Sequence, residues 1–287
     1  MGGAFPVLVD FPDTAGFLTP EERDYVIRRK KYDNSGVGEE ERFSVKYIIQ
    51  AFTDWQVYAL ALVDLALGCP LYSITLFLPT IIKEQVSSFW IPFHHKQPSY
   101  GSSIYRRHYD AGTTAITLCT FAYLSDKTKL RSPFLFASFV LTFIGFTIII
   151  SSSSSGVKYF ATFLCVMGTY SGIPGVVAWL GNNLAGQYKR AVGMAFQVGL
   201  ANVSGVVASN VYHGDDGDGS GFALGHGISL MFIGIGLITV PIVTLAYHRA
   251  NGRKERVIRE EEERGVKRSA EEIRAMGDRA PEFRYTL

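Results

Sequence analysis

Four long stretches of the chain, residues 132–157, 159–188, 191–212 and 225–248, contain no Asp, Glu, Lys or Arg, and a fifth, 55–82, contains only Asp64. About 20 apolar residues in a helix cross the hydrocarbon of a bilayer, and an uncharged run of 18 or more marks a spanning segment. Five such runs predict a polytopic, all-α membrane protein. Backbone groups in lipid must pair within their own segment, which selects helices, and the runs are too long and too apolar on every side for barrel strands.

The overall charge of +2 and the 19% of charged residues look ordinary until they are divided by region. Residues 20–46 and 249–287 are dense in Arg, Lys and Glu, while the middle is almost bare. Basic residues at these places read as topology signals, with no nucleic-acid partner implied. Cys69, Cys119 and Cys165 fall inside hydrophobic segments without paired spacing and read as small apolar residues, not a disulfide or metal framework. The first 19 residues lack a basic start, and Asp10, Pro12 and Asp13 break their apolar stretches. The first span is therefore expected to act as its own insertion signal.

Lys and Arg collect in short loops on the cytosolic side. They precede the run at 55–82 (Arg28 to Lys46), precede the run at 133–151 (Lys127, Lys129, Arg131), separate 159–181 from 191–212 (Lys189, Arg190), and follow 225–248 (Arg249, Arg253, Lys254, Arg256). Ser151–Gly156 and the acidic 213–221 loop carry none. The alternation closes only with one more helix between 83 and 125. The expected layout is a cytosolic segment 1–54, a six-helix bundle over 55–248 and a charged cytosolic tail 249–287. Its spans lie at about 55–82, 111–125, 133–151, 159–181, 191–212 and 225–248, with both termini cytosolic. The second span is weak: Ala111 to Ser125 reaches only about 22 Å of the ~30 Å hydrocarbon thickness. Residues 86–110 lack helical periodicity, and Arg106, Arg107 and Asp110 oppose lengthening the span backwards. At 19–22, Thr19, Pro20, Glu21 and Glu22 predict a helix start with a capping hydroxyl and acids at the positive end of the dipole.

The specific motifs lie in Thr169-Tyr-Ser-Gly-Ile-Pro174, Ala178-Trp-Leu-Gly-Asn-Asn-Leu-Ala-Gly186, Lys189-Arg-Ala-Val-Gly-Met-Ala-Phe-Gln197 and Gly199-Leu-Ala-Asn-Val-Ser-Gly205. Earlier come Tyr72-Ser-Ile-Thr-Leu-Phe-Leu-Pro-Thr-Ile-Ile82 and Tyr123-Leu-Ser-Asp-Lys127. Together they resemble the fungal allantoate permease family, the anion:cation symporter branch of the major facilitator superfamily. The resemblance implies the C-terminal six-helix half of a twelve-helix transporter, without its N-terminal partner half. Residues 86–117 depart from the family pattern, so the second helix is expected to be irregular. The implied partners are the lipid bilayer, a small organic anion or vitamin-like carboxylate, and protons taken up in symport. The partner half, or self-association, would complete the molecule. The implied location is the plasma membrane, and no cofactor is expected. The other reading is a truncated membrane piece with at most a structural or interaction role.

In the superfamily the resemblance points to, helices seven, eight, ten and eleven line the cavity. On them Tyr58, Tyr72, Tyr170, Gln197 and Asn202 are candidate substrate contacts, with interhelical hydrogen bonding the competing reading for the last two. Asn182 and Asn183 are candidates for a gate or helix cap. Asp126, Lys127 and Arg131 match a conformational latch in the loop between paired helices. Asp64 is the one acid deep in an apolar run, a candidate proton carrier or a tolerated acid facing the lumen. Gly168, Gly172 and Gly175, with Ala201 and Gly205, offer small-residue packing faces. Adjacent His94 and His95 do not converge on a metal, and Asp216-x-Asp218 lacks the glutamate that closes a calcium loop. No phosphate loop or nucleophile elbow is present, so no enzyme is expected. The tail reads as a solvated charged helix without a binding role.

Overall fold

The computed structural model describes residues 18–33, 44–90, 100–211, 220–266, 268–269, 272–273 and 276–287. Among these the architecture is all-α: α1 Pro20–Asp33, α2 Val45–Thr53, α3 Trp55–Trp90, α4 Tyr100–Thr128, α5 Ser132–Ser151, α6 Ser155–Asn183, α7 Gln187–Val211 and α8 Ser220–Glu263. His94, His95, Asp216 and Asp218 lie outside the described residues. Among the described residues, five helices contain stretches long and apolar enough to cross a bilayer: Trp55–Leu76, Ser132–Ser151, Gly156–Asn183, Gln187–Val211 and Leu224–Glu263. α4 is not among them.

Local chemistry sets the helix ends. Thr19 and Glu22 close a reciprocal cap on α1: the Thr19 N–H donates to Glu22 Oε2 at 3.0 Å, and the Glu22 N–H donates to Thr19 Oγ1 at 3.3 Å. The Thr19 backbone and hydroxyl together hold the Glu22 carboxyl below the usual carboxylate range. Asp54 separates α2 from α3. Its backbone is extended, its N–H closes α2 on Ala51 O, and its Oδ1 accepts from the Gln56 N–H at 3.1 Å to cap α3. Lys129 turns α4 into α5 with a left-handed φ of 55°, and Gly186, at φ 92°, turns α6 into α7 where a side chain would be strained.

Two features depart from the sequence expectation. Residues 86–90 are helical at the end of α3, and α4 begins at Tyr100, carrying Arg106, Arg107 and Asp110 within the helix instead of starting at 111. A helix pairs its backbone groups internally whatever the side-chain pattern, so helix persists where periodicity is lost. The tail is the second departure. α8 runs unbroken to Glu263, but Gly277–Leu287 is not solvated helix; it folds back onto the bundle, burying Asp278, Ala280 and Phe283.

α3 is central, packing on α6, α7 and α8, while α5 lies against α6 and α8 and α4 lies mainly against α6. The core includes Leu60, Val63, Leu67, Phe139, Phe146, Val176, Trp179, Ile233, Val240 and Tyr247. Small residues allow the closest crossings. A Cβ on Gly168 would lie 2.6 Å from Ser138 O and 2.8 Å from the Thr142 nitrogen, and one on Gly145 would lie 2.8 Å from Ala161 O. Gly172 meets Leu67, and Gly205 meets the Tyr72 ring, but Gly175 faces open space, so its expected packing role is not seen. Met231, Ile238, Ile242 and Leu245 stand exposed along one face of α8, an apolar stripe suited to lipid.

Candidate functional site

One stripe of polar groups in the apolar bundle runs along α3. Asp64, Gly68, Tyr72 and Thr75 fall within one quarter of the helix circumference at 100° per residue and extend along about 16 Å of its axis. Tyr72 OH donates to Asn202 Oδ1 of α7 at 2.7 Å, and the hydroxyls of Thr75 and Tyr170 of α6 pair at 2.9 Å. Gly68 sits against Ser204 of α7, letting the two backbones approach between these polar levels. On the side toward α8, Ser73 and Ser229 pair at 3.1 Å.

Exposure divides these groups. Tyr170, Thr75 and Asn202 lie on an open face of the bundle, as a wall that a second body could close. Asp64 and Gln197 are buried, at 1% and 0% exposure. The Asp64 carboxyl faces the Gln197 amide, yet among the described residues Asp64 Oδ1 and both polar atoms of Gln197 lack a closed hydrogen bond. Unpaired polar atoms in an apolar interior cost free energy, so this is the least satisfied place along the stripe.

The other sequence candidates separate. Tyr58 donates to Phe52 O at 2.8 Å and packs edge-on against Phe196, which ties α2 to α3 and α7 at an exposed position away from the Tyr72–Asn202 pair. Arg131 pairs with Asp126 Oδ1 at 2.5 Å and donates to Ser125 Oγ at 3.1 Å, closing the turn between α4 and α5. Lys127 instead lies 6.0 Å over the Tyr123 ring. Beside this turn is a cavity of about 250 Å³ lined by residues including Phe121, Ser125, Asp126, Arg131 and Ser171, where the Ser171 hydroxyl has no partner among the described residues. Asn182 is exposed. Asn183 is fully buried, and its amide donates to Thr286 O at 3.1 Å while its Oδ1 accepts from the Thr286 N–H at 2.7 Å.

Sequence reasoning missed one ionic cluster. Lys189 is buried and donates from Nζ to Asp54 Oδ2 and Asp278 Oδ1, both at 2.6 Å. Gln56 Nε2 bridges the same two carboxylates at 3.4 and 3.2 Å. In the sequence Lys189 looks like any basic loop anchor. The available signal was Asp54 two residues before Gln56 at a span entry, an N-cap pattern; nothing near Asp278 marks it as a partner.

The chain has extended similarity to transporters. It is 33% identical over 282 residues to an uncharacterized transporter of Schizosaccharomyces pombe, covering 98% of this chain and 52% of that protein. It is 26% identical over 275 residues to the high-affinity nicotinic acid transporter of Saccharomyces cerevisiae, covering 94% of this chain and 47% of the relative. An MFS-type transporter of Penicillium expansum is 27% identical over 99% of this chain and 53% of its own length. The chain thus spans about half the length of the relatives it matches. No family model and no solved structure matches it. With five helices long and apolar enough to cross a bilayer, it is an integral membrane protein. Over about half or less of their length, it is similar to proteins named as MFS-type and major facilitator-type transporters.

Proposed function

We propose that this chain is the C-terminal half of a carrier that moves a small organic anion, of the nicotinate or allantoate type, together with protons. The observation that carries the reading is the α3 polar stripe, with Tyr72–Asn202 and Thr75–Tyr170 on the open face and Asp64 opposite Gln197 behind it. Transporters built from repeats hold substrate near the midplane between two halves, and this stripe would form one wall. Hydroxyls and amides on that wall can meet a carboxylate or ring nitrogen of the substrate. The apolar runs containing Tyr72, Tyr170 and Asn202 offer no Lys or Arg, so the cation opposite the anion would come from the other half. Asp64 is the group able to accept and release a proton within this wall. The Asp126–Arg131 pair would latch one conformation, and the allantoate permease branch is the narrower affiliation we favour.

The test joins this chain to the N-terminal half of the Saccharomyces cerevisiae relative and measures uptake of labelled nicotinate, allantoate and pantothenate. Tyr72→Phe and Asp64→Asn are each expected to cut uptake at least tenfold, with membrane abundance unchanged. The chain expressed alone is expected to give none. Uptake untouched by both substitutions would remove the α3 stripe from the transport path.

We further propose that the Lys/Arg-rich end of the bundle faces the cytosol of a plasma-membrane protein. Single cysteines at Ser153 and Glu262, with the three native cysteines replaced, provide the check. An impermeant maleimide on intact cells should label Ser153→Cys and spare Glu262→Cys; the reverse pattern would invert the topology.

A further inference from the structure

The geometry points to Gly277–Leu287 as a clamp in cis: a peptide that opens with a 3-10 turn at Gly277–Arg279 and ends in irregular chain, seated in a cleft at the Lys/Arg-rich end of the bundle and holding the ends of five helices as one body. The cleft reads the segment as a receptor reads a peptide, through paired backbone contacts and aromatic anchors. Asn183 of α6 both donates to and accepts from the backbone of Thr286. Asn251 of α8 does the same for Tyr285, at 2.8 and 2.9 Å. Two side-chain amides thus stand in for the backbone partners that a neighbouring strand would give.

Aromatic contacts fix the register. The Tyr285 ring stacks on Tyr247 of α8, centroids 5.0 Å apart and planes 14° from parallel, and its hydroxyl donates to Asp278 O at 3.0 Å. Burial pushes the Tyr285 phenol up, which keeps it a donor. Trp179 Nε1 of α6 donates to Thr286 O at 2.8 Å. Lys254 of α8 lies 4.1 Å over the Tyr285 ring and donates to Asp278 O and Phe283 O.

The same eleven-residue segment reaches the remaining helices. Asp278 engages Lys189 of α7 and Gln56 of α3, and Leu287 O accepts from the Arg131 N–H at the start of α5. These helix ends meet through a segment that belongs to none of them. A charge-assisted pair and two bidentate amides at one cleft are specific enough to act as a latch and localised enough to be undone by single substitutions.

Hydrogen exchange followed by mass spectrometry on the full chain in nanodiscs tests this. In the wild type the Tyr285 and Thr286 amides should exchange at least a hundredfold more slowly than in a free peptide of the same sequence. Asp278→Asn should speed them at least tenfold and also speed the 184–190 junction between α6 and α7, leaving residues 231–245 of α8 unchanged. Asn251→Ala is a milder variant that should free Tyr285 and loosen 184–190 by a smaller factor. Peptide-like exchange at 285 and 286 in the wild type would overturn the clamp outright, and so would release of the tail by either variant with 184–190 unaltered. Should Asp278→Asn unfold the bundle, 231–245 would report it, and the wild-type and Asn251→Ala readings then decide.

Discussion

Replacing Lys189 by Met is expected to cost about 3–5 kcal/mol of stability, because it leaves Asp54 and Asp278 facing each other inside the protein with no cation between them. Each carboxylate is almost fully buried. Gln56 bridges them but cannot neutralise them, since an amide offers only partial charge. In detergent the melting temperature should fall on the order of 10 °C. The mechanism makes a second, sharper statement. Adding Asp54→Asn and Asp278→Asn to Lys189→Met removes every charge with little change in shape, and Asn still caps α3. Buried ion clusters replaced as a whole are often neutral in stability, so the triple variant should recover most of the loss. A triple variant no more stable than Lys189→Met alone would mean that packing of the lysine stem, not its charge, holds the site.

Gly168→Val is the second large effect. The first added carbon would sit 2.6 Å from Ser138 O and 2.8 Å from the Thr142 nitrogen, atoms of the α5 backbone that cannot rotate away as a side chain can. Overpacking of this kind costs about 1–3 kcal/mol or more, and contact with backbone places this change at the upper end. The α5–α6 pair must separate along its length, since Gly145 makes the reciprocal approach to Ala161 O. At Gly175, about two turns further along α6, an added Cβ meets nothing within 4 Å, so Gly175→Val serves as the control. The folded yield in size-exclusion profiles should collapse for the first and match the parent for the second. Equal yields would show that α5 and α6 can slide apart without penalty.

Both effects rest on contacts of different legibility. The five apolar runs, four of them free of charge, were readable because lipid punishes charge over a fixed length, and each contains a helix of the structure. α4 was not readable to its full extent, because its first turns follow backbone pairing and carry no apolar pattern. At the candidate site, Tyr72 and Asn202 each stood out as polar groups in apolar runs, but their mutual bond joins positions 130 residues apart. Gln197 and Asp64 were likewise visible singly and invisible as a facing pair. Gly168 was legible as a small residue at helical spacing, Gly175 equally so, and only the crossing of α5 separates them. The Lys189 cluster was hidden for a stronger reason. Its partners lie 135 and 89 residues away, and a lysine flanking a span is what topology alone would supply.

The unbroken course of α8 has a mechanical corollary. From His248 to Glu263 it continues for about 22 Å past the last lipid-suited turn without a hinge, and Asn251 and Lys254 ride on this rigid extension. Rotation of the Ile242–Leu245 turn, which follows Pro241, swings Asn251 and Lys254 through the same arc. The helix acts as a drive shaft, so that what happens in the hydrocarbon is felt as torque on Tyr285.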